Sequence, residues 1–437
     1  MQQRAFTGQL VVAGVLLGVG VSAASAAEPA ISIETTTSAD TTPNLIQDQM
    51  AQVAPTPAPA PAVPPAAAAP AAPTAMTTPA MTGPLVANPN PYGFDAGPLG
   101  PVYVTGAVSG LGLIQNNPVP GDHEGSFSLS NGQVFVQKTD GWFQYFVQVG
   151  AYTLPAIGTP YFNTAKATGD FFGPVPQAYI KIAPADNFSV MAGKLPTLIG
   201  AEYTFDFENM NIERGLLWNQ ENAVNRGIQA NYTAGPVAFA LSFNDGFYSN
   251  NYTWLWGSAT WTIDPANTLS FVGGGNLSSS SKNTLATPVF LNNEEIYNVI
   301  YTYNAAPWTV TPYFQYTHVP QNSAIGAFSS ASTYGGAILA NYSFDSGSPL
   351  AGVSLPVRVE YIASTGSGAA GAPSLIYGPG SDAWSVTVTP TYQWDKYFVR
   401  AEGSYVQAMH TTPGFVFGPT GNNKSQTRGM LEFGILF

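Results

Sequence analysis

Apolar and polar residues alternate along most of the chain beyond residue 99, in short segments separated by turn residues. The runs 237–243 (VAFALSF) and 355–361 (LPVRVEY) alternate without a break. Similar runs are 143–151, 297–303, 308–316, 384–392, 397–405 and the C-terminal 430–437, MLEFGILF. Successive side chains of a strand point to opposite faces, so this period of two predicts strands with one apolar and one polar face.

The connections between these segments come in two sizes that alternate along the chain. Short connections lie near 139–141, 184–187, 234–236, 264–267, 304–307 and 395–396; long ones lie near 155–175, 196–224, 245–253, 277–293, 318–332, 365–381 and 409–424. Outer-membrane barrels join their strands in this way, with short periplasmic turns and longer external loops. Residues 99–437 are therefore predicted to form an all-β, transmembrane antiparallel up-and-down β-barrel of about 16 strands, roughly 14 to 18.

The composition supports a membrane environment. Charged residues make up only 9% of the chain, against about 25% in ordinary soluble domains. Downstream of residue 27 no apolar run reaches the roughly 18 residues that a helical span needs. Because every backbone amide in hydrocarbon must find a partner inside the protein, a closed barrel is the remaining spanning structure. A soluble β-sandwich or β-solenoid is the alternative fold.

The N-terminus predicts export. Arg4 precedes an apolar stretch, 10–21, and a small-residue site at 24–26, so residues 1–26 are interpreted as a signal peptide and Ala27 as the mature start. Removal of Arg4 leaves 12 basic against 25 acidic residues, a net charge of −13 that disfavours nucleic acid as a partner. The chain has no cysteine, which excludes disulfides, thiolate chemistry and a cysteine-linked lipid anchor.

Residues 27–98 differ in amino-acid composition from the rest of the chain. They are rich in Thr, Pro and Ala, and proline is concentrated between 54 and 84. Proline fixes φ and removes a hydrogen-bond donor, so this segment is predicted to be a disordered, partly extended periplasmic tether. Two roles remain open for it, a passive spacer and a segment that contacts the cell wall.

Several charged residues fall on the polar parity of predicted strands. A charge on the lipid face costs about 2–4 kcal/mol at the bilayer midplane, so these side chains are expected to point into the lumen. The predicted pore-lining residues are Lys181, Arg358, Glu360, Arg400, Glu402, Arg428 and Glu432. The last four lie on neighbouring strands, where they would form a screened ion-pair ladder, a transverse field across the solute path, or both.

Lys194 and Arg226 have the lipid parity close to the external rim. Gly193 and Gly227 lie beside them, so a bulge that turns both side chains inward is one expectation. Snorkelling at the rim is the other.

The long connection 196–224 is the most polar part of the predicted barrel. Its charged residues are Glu202, Asp206, Glu208, Glu213, Arg214 and Glu221, accompanied by Trp218. Long loops in compact proteins are usually functional or disordered. A 16-stranded barrel otherwise leaves an open aqueous channel, so we predict that this loop folds into the lumen as a constriction. An external flap or an oligomer contact is the alternative.

Large aromatic residues suggest two girdles at the membrane surfaces. Tyr232, Trp261, Trp308, Tyr342, Trp394, Tyr397 and Phe437 lie beside short connections, and Tyr152, Trp254 and Tyr405 lie toward long ones.

The sequence gives no sign of an enzyme. His123, His318 and His410 lie at or near predicted loops and outside any catalytic motif. His318 has the lipid parity on which outer-membrane lipases place a His and a Ser, but no Ser follows at strand spacing. No phosphate loop or dense metal cluster is present, so no cofactor or metal is expected.

The runs AGKLPTLIGAEYTFDFENMNIERGLLW, NRGIQANY, FALSFNDGF and YFVRAEGSYV resemble the β-barrel porin-2 family of OmpL-like outer-membrane proteins. The resemblance covers about 99–437 and implies a pore in the outer membrane of a Gram-negative bacterium. Ending on Phe437 resembles the C-terminal signature that the barrel-insertion machinery reads. By analogy with other porins, a homotrimer is a candidate assembly.

The sequence therefore predicts a passive or weakly selective porin in contact with outer-membrane lipids, passing small hydrophilic solutes or ions. The alternative is a structural or surface-interaction barrel that anchors or contacts envelope layers.

Overall fold

The computed structural model of the protein describes residues 79–437. The predicted signal peptide and residues 27–78 of the predicted tether lie outside the described residues. The strands are β1 (Tyr92–Asp95), β2 (Pro101–Gln115), β3 (Gly125–Lys138), β4 (Phe143–Tyr152), β5 (Gln177–Ala185), β6 (Phe188–Pro196), β7 (Val224–Ala234), β8 (Val237–Asn244), β9 (Trp254–Asp264), β10 (Asn267–Asn276), β11 (Glu295–Ala305), β12 (Trp308–Val319), β13 (Ala331–Ser343), β14 (Val353–Ser364), β15 (Asp382–Val388), β16 (Thr391–Trp394), β17 (Tyr397–Met409) and β18 (Ser425–Leu436). One α-helix, α1 (Thr164–Asp170), lies between β4 and β5.

Consecutive strands pair antiparallel, and β18 returns to pair with β2, so the sheet closes into a barrel. Within the described residues this barrel has 16 strands, which confirms the predicted architecture. β15 and β16 are two halves of one strand, interrupted at Pro390, which has no N–H to donate to the ladder. β1 pairs antiparallel with the first residues of β2, Pro101 to Val104.

The connections alternate in length as predicted. The long loops, called L1 to L8 here, are 116–124, 153–176, 197–223, 245–253, 277–294, 320–330, 365–381 and 410–424. The sequence prediction did not include L1. It also missed the connection 344–352, which is longer than the other turns at its end of the barrel.

The two faces of the strands differ as the alternation predicts. On β14, Val359 is 44% exposed on the outer surface, whereas Arg358 beside it is fully buried on the inner side. On β18, Phe433 is 53% exposed and Glu432 is fully buried. Because the outward side chains are apolar, this surface suits lipid acyl chains rather than water. Within residues 79–437, no helix has the length and apolarity to cross a membrane.

The C-terminal residue completes the closure of the sheet. Phe437 donates its N–H to the Gly106 carbonyl at 3.0 Å and accepts the Gly106 N–H at 2.8 Å. A Cβ on residue 106 would lie 2.4 Å from the Phe437 ring, so glycine is required for this close approach. The Phe437 ring therefore packs over Gly106 of the neighbouring strand β2.

The prediction of two aromatic girdles agrees with the structure at one end of the barrel and is partly wrong at the other. Trp261, Trp308 and Trp394 are exposed on the outer surface beside short turns. Tyr152 and Trp254, assigned to the opposite girdle, are instead fully buried. Their parity explains the error, since Trp254 shares the inward face with Trp256. The exposed rings at that end include Tyr297, Tyr316 and Tyr334.

The predicted tether ends earlier than residue 98. Residues 79–98 contain β1 and pack against the barrel: Leu85 is 2% exposed, and Val86 exchanges two hydrogen bonds with the Gln393 side chain, at 2.7 and 2.8 Å. The prediction of disorder is therefore wrong for 79–98. Composition indicated an extended chain, but it carried no signal for where that chain would dock.

Candidate pore constriction

L3 (197–223) lies inside the barrel. Its two ends join strands that pair with each other, Pro196 with Val224, so the loop starts and finishes at one point on the rim. Its apolar residues Phe205, Phe207, Ile212 and Leu217 are buried. Two short 3-10 turns, Asp206–Glu208 and Trp218–Gln220, shape the chain between them. The predicted constriction loop is thus placed within the lumen, with all six of its charged residues buried.

Arg358 on β14 is the main anchor of L3. Its guanidinium donates to Glu202 of the loop and to Glu360 of its own strand, both at 2.7 Å, and also to the Glu213 carbonyl. Glu360 in turn accepts the Leu216 N–H at 2.6 Å. A Cβ on Gly215 would lie 2.3 Å from the Glu360 carboxylate, so the loop backbone approaches the wall as closely as glycine permits.

A second set of anchors comes from β17. Glu402 accepts the N–H groups of Ile212 and Glu213 at 2.6 and 3.0 Å. Arg400 forms an ion pair with Glu432 and donates to two L3 carbonyl groups, those of Asp206 and Asn209, at 3.2 and 3.1 Å.

The neighbouring strand β18 adds one more contact. Arg428 donates to the Glu213 carboxylate at 2.7 Å. The charges of β14, β17 and β18 therefore hold the loop in place.

The expectation that the predicted pore-lining residues face open water is wrong for six of the seven, and so is the screened ladder expected of Arg400, Glu402, Arg428 and Glu432. The six point inward, as predicted, but L3 covers them, and each is 5% exposed or less: Arg358, Glu360, Arg400, Glu402, Arg428 and Glu432. Parity identifies which face a side chain occupies and does not reveal what covers it. Removing one partner of a buried pair of this kind strongly destabilises the folded structure, because a buried charge is then left uncompensated.

Lys181 differs from the other six. It is half-buried, forms no ion pair within residues 79–437, and lines a cavity of about 660 Å³ together with Gln144, Ser189 and Asn231. A second cavity, of about 460 Å³, lies between L3 and the inner face of β9 to β12, where Ser258, Thr260, Ser270, Thr302 and Thr311 line it. Hydroxyl and amide groups favour water in both spaces. The polar free volume thus lies along the β4–β12 side, opposite the wall that anchors L3.

The guanidinium of Arg214 in L3 has no hydrogen-bond partner among the described residues. It lies 4.9 Å from the centre of the Trp218 ring. Burial lowers its pKa to about 10, and the nearby carboxyl groups of Asp206, Glu202 and Glu208 oppose that shift. The group therefore stays cationic at neutral pH.

Two carboxyl groups of L3 have raised pKa values. Burial, together with the charge of Glu432, raises the pKa of Asp206 to about 7, and burial raises that of Glu208 to about 8. The packed loop therefore holds protons that a released loop would lose. Packing is most stable below the ordinary values of 3.8 and 4.5, and this contribution is lost as the pH rises through about 7 to 8.

We expect the current through single channels to fluctuate more at pH 9 than at pH 6, because L3 leaves its packed position more often. In Glu208→Gln a neutral amide replaces the titrating carboxyl group. The increase in current fluctuation between pH 6 and pH 9 should then be smaller than in the unmodified protein, because only Asp206 still titrates. Recordings at a series of pH values on both proteins test this. Steadier currents at high pH, or an unchanged pH response in Glu208→Gln, would contradict it.

The segment 79–91 contacts L3. The Thr82 N–H donates to the Glu208 carbonyl at 2.9 Å. Leu85 packs in an apolar cluster with Phe135, Phe205 and Phe398, which come from β3, L3 and β17. Both the loop and the N-terminal segment therefore occupy the lumen.

Lys194 and Arg226 stay on the outer rim. The pairing of β6 with β7 places them opposite each other without a register shift. Lys194 donates to the carbonyl groups of Phe172 and Val175, and Arg226 pairs with Asp245 at 2.7 Å. The inward-turning bulge is therefore wrong, and external loops satisfy both charges at the rim.

His318 has a serine partner that sequence spacing did not show. Its Nδ1 lies 2.9 Å from Ser332 Oγ, which comes from the adjacent strand β13. The Ser332 N–H is already donated to Thr365 Oγ1. If Ser332 attacked an ester carbonyl, its N–H would thus not be free to stabilise the oxyanion on the substrate, and such donors supply much of the rate in acyl transfer.

Comparison with family models gives a match over residues 101–437 to the family described as "Putative beta-barrel porin-2, OmpL-like". The chain belongs to this porin family. The family and the closed barrel identify an outer-membrane channel for small solutes. Comparison with curated proteins finds no match.

Solved structures with a similar fold include a porin, an outer-membrane protein and an outer-membrane channel. An anion-selective porin from Comamonas acidovorans has a TM-score of 0.52 at 10% identity, covering 77% of this chain and 99% of the other. A loop L8 deletion mutant of OmpT, an outer-membrane protein of Vibrio cholerae, has a TM-score of 0.50 at 12% identity, with coverage of 77% and 99%. The outer-membrane channel DcaP of Acinetobacter baumannii has a TM-score of 0.50 at 10% identity, with coverage of 77% and 97%. At these identities the likeness concerns the fold alone.

Proposed function

We propose that this porin is a narrow channel whose solute path runs beside L3, along the β4–β12 side of the lumen, and passes small hydrophilic solutes or ions. The observation that carries the proposal is the placement of the polar cavities. They lie on the side of the lumen that faces Lys181, Ser258 and Thr302, away from the anchors of L3 on β14, β17 and β18. A path between a fixed loop and a hydroxyl-lined wall suits solutes that exchange hydrogen bonds with water.

Single-channel recording in planar bilayers tests this proposal. We expect stable conductance steps that are small for a 16-stranded barrel, since L3 and the N-terminal segment fill much of the lumen. Graded sugars added to the bath should reduce the current only below a size limit smaller than that of an open barrel. Steps as large as those of an unobstructed barrel would contradict a constricted path.

Truncation of the N-terminal segment provides a separate prediction. Removing residues 27–91 takes away the contacts of Thr82 and Leu85 in the lumen. We expect the conductance to rise roughly twofold, because the path widens below L3. Recordings on this variant measure the change.

The matched control removes only residues 27–78 and leaves 79–91 in place. Its conductance should equal that of the full mature chain. Equal conductance in both truncations would show that the segment does not obstruct the path.

The same packing favours a second candidate function, a plugged barrel that contacts other envelope layers. In this case L3 and residues 79–91 close the lumen, and residues 27–78 serve as a periplasmic tether. A folded barrel, shown by heat-modifiable gel migration, that gives no conductance steps would support this function and exclude the first.

We also propose that the outward face contacts outer-membrane lipids and that the C-terminal strand ending in Phe437 is read by the barrel-insertion machinery. A homotrimer is proposed by analogy with other porins, and crosslinking of the protein in native membranes tests it.

A further inference from the structure

One inward-pointing charge of the barrel wall is not covered by L3. Lys181 has the inner parity of β5, and its register partners are Gln144 on β4 and Met191 on β6. The side chain is half-buried, lines the cavity of about 660 Å³ and forms no ion pair within residues 79–437. Its charge therefore acts on whatever occupies this space.

The rest of the inner wall from β4 to β12 is neutral along the strands. These strands carry four other charged residues, which lie on the outer face, on the outer rim or at a turn: Lys194, Arg226, Glu295 and Asp264. Asp264 is exposed where β9 ends, and its carboxylate accepts from the Asn267 side chain at 2.8 Å. Within the described part of these strands, Lys181 is thus the one charge that reaches the interior away from the ends.

L3 does not supply a counter-charge to this side of the lumen. The acid of L3 that borders the second polar cavity is Glu202, and it is paired with Arg358 at 2.7 Å. The six inward charges of β14, β17 and β18 are covered by the loop. Both cavities of the proposed path are therefore lined by neutral groups, apart from Lys181 and this paired carboxylate.

The space around Lys181 is polar and large enough to hold water. A water molecule in the liquid takes about 30 Å³, so this cavity has room for roughly twenty. The Ser189 hydroxyl accepts a hydrogen bond from the Asn231 side chain at 3.3 Å, and its own O–H has no acceptor among the described residues. An ammonium group beside a neutral O–H donor attracts an anion and repels a cation.

The acidic residues near this end of the barrel lie in bulk water. Asp186, Asp345 and Asp395 are exposed in the short connections. Salt screens exposed charges beyond a Debye length of about 10 Å at 0.1 M. A charge on the wall of a narrow passage acts more strongly, because low-dielectric walls focus its field on the passing ion. The net negative charge of the whole chain therefore does not decide which ions the path favours.

We infer that Lys181 sets the charge selectivity of the solute path and that small anions are the class of solute the channel favours. This inference deepens the proposed function and rests on it, because the path along the β4–β12 side passes the Lys181 ammonium group. The anion exchanges part of its hydration for this ammonium and for the hydroxyl and amide groups beside it.

The reversal potential of the reconstituted mature protein under a KCl gradient tests the inference, with chloride and potassium as the probes. We expect the unmodified channel to pass chloride about threefold more readily than potassium. In Lys181→Gln the ratio of chloride to potassium permeability should fall to about one. In Lys181→Glu it should fall below one, because the wall charge is reversed.

Lys181→Arg keeps the charge on a different side chain, so it separates charge from shape. Its permeability ratio should stay within about twofold of the unmodified value. Heat-modifiable gel migration verifies that each variant is a folded barrel.

Two control variants change charges of the same size outside the path. Lys424→Gln removes a lysine that is exposed in L8, and its permeability ratio should match the unmodified protein. Asp186→Asn removes an exposed acid at the edge of the Lys181 cavity. It should raise the ratio by less than about twofold, because water and salt screen that carboxylate.

The role of Lys181 is overturned if the unmodified channel prefers potassium, or if Lys181→Gln leaves the permeability ratio unchanged. A change in Lys424→Gln or Asp186→Asn as large as that in Lys181→Gln would also overturn it. In each of these cases the protein still conducts, so the proposed function survives. A folded barrel that gives no conductance steps rejects the proposed function and this role together.

Discussion

Replacing L3 residues 198–222 with a Gly–Ser linker of about six residues should raise the single-channel conductance roughly three- to fivefold. The linker can close the hairpin because β6 and β7 are paired up to Pro196 and Val224. Removing the loop exposes the inner faces of β14, β17 and β18 to water, which hydrates the charges that the loop had covered. The lumen then approaches that of an open 16-stranded barrel.

Deletion of residues 321–326 from L6 is the control for this experiment. L6 lies outside the lumen contacts described for L3, and its tip residues Ser323, Ala324 and Ile325 include exposed positions. Its removal should leave the conductance unchanged. If the L3 replacement folds as a barrel and conducts like the unmodified protein, L3 does not set the width of the path.

Replacing Arg358 with Met should release L3 from the wall. The change leaves Glu202 and Glu360 buried without their cation, a situation that typically costs about 3–5 kcal/mol. The barrel itself should still form, because the strand pairing of β14 does not depend on this side chain. Limited proteolysis of the reconstituted protein should cut within 197–223 at least about a hundredfold faster than in the unmodified protein.

Lys181→Ala is the matched control, since Lys181 also points inward but forms no ion pair among the described residues. Cleavage of L3 in that variant should match the unmodified protein. Adding Glu202→Gln to Arg358→Met should recover part of the protection, because one of the two stranded charges is removed. Equal protection of L3 in Arg358→Met and in the unmodified protein would rule out the proposed anchoring.

The barrel could be predicted from the sequence because its cause is local. A strand exposes alternate residues to opposite faces, so Val359 and Phe433 on one parity and Arg358 and Glu432 on the other follow from the order of residues alone. The alternation of short and long connections gave the number of strands. The same rule predicts that Trp254 points inward. Its assignment to the aromatic girdle was wrong because it rested on the nearby long connection and not on parity.

The candidate site could be predicted only in part. Charge density pointed to L3 as a loop folded into the lumen, and the structure places it there. What sequence could not show is which strands the loop would reach, because Glu202 meets Arg358 from 156 residues away. For the same reason, Leu85 was missed as a partner of Phe205 and Phe398. Ser332 was missed because it lies on the strand adjacent to that of His318, and spacing along one strand does not show such a partner.

A water-filled barrel in a membrane requires that polar inner side chains surround water while apolar outer side chains contact lipid. The chain has no cysteine, so single-cysteine variants test it directly in reconstituted vesicles. Lys181→Cys and Ser258→Cys should react with a water-borne maleimide and resist a lipid-soluble one, and Val359→Cys and Phe433→Cys should show the opposite preference. If the two pairs react in the reverse sense, or do not differ, the account of a water-filled barrel is wrong.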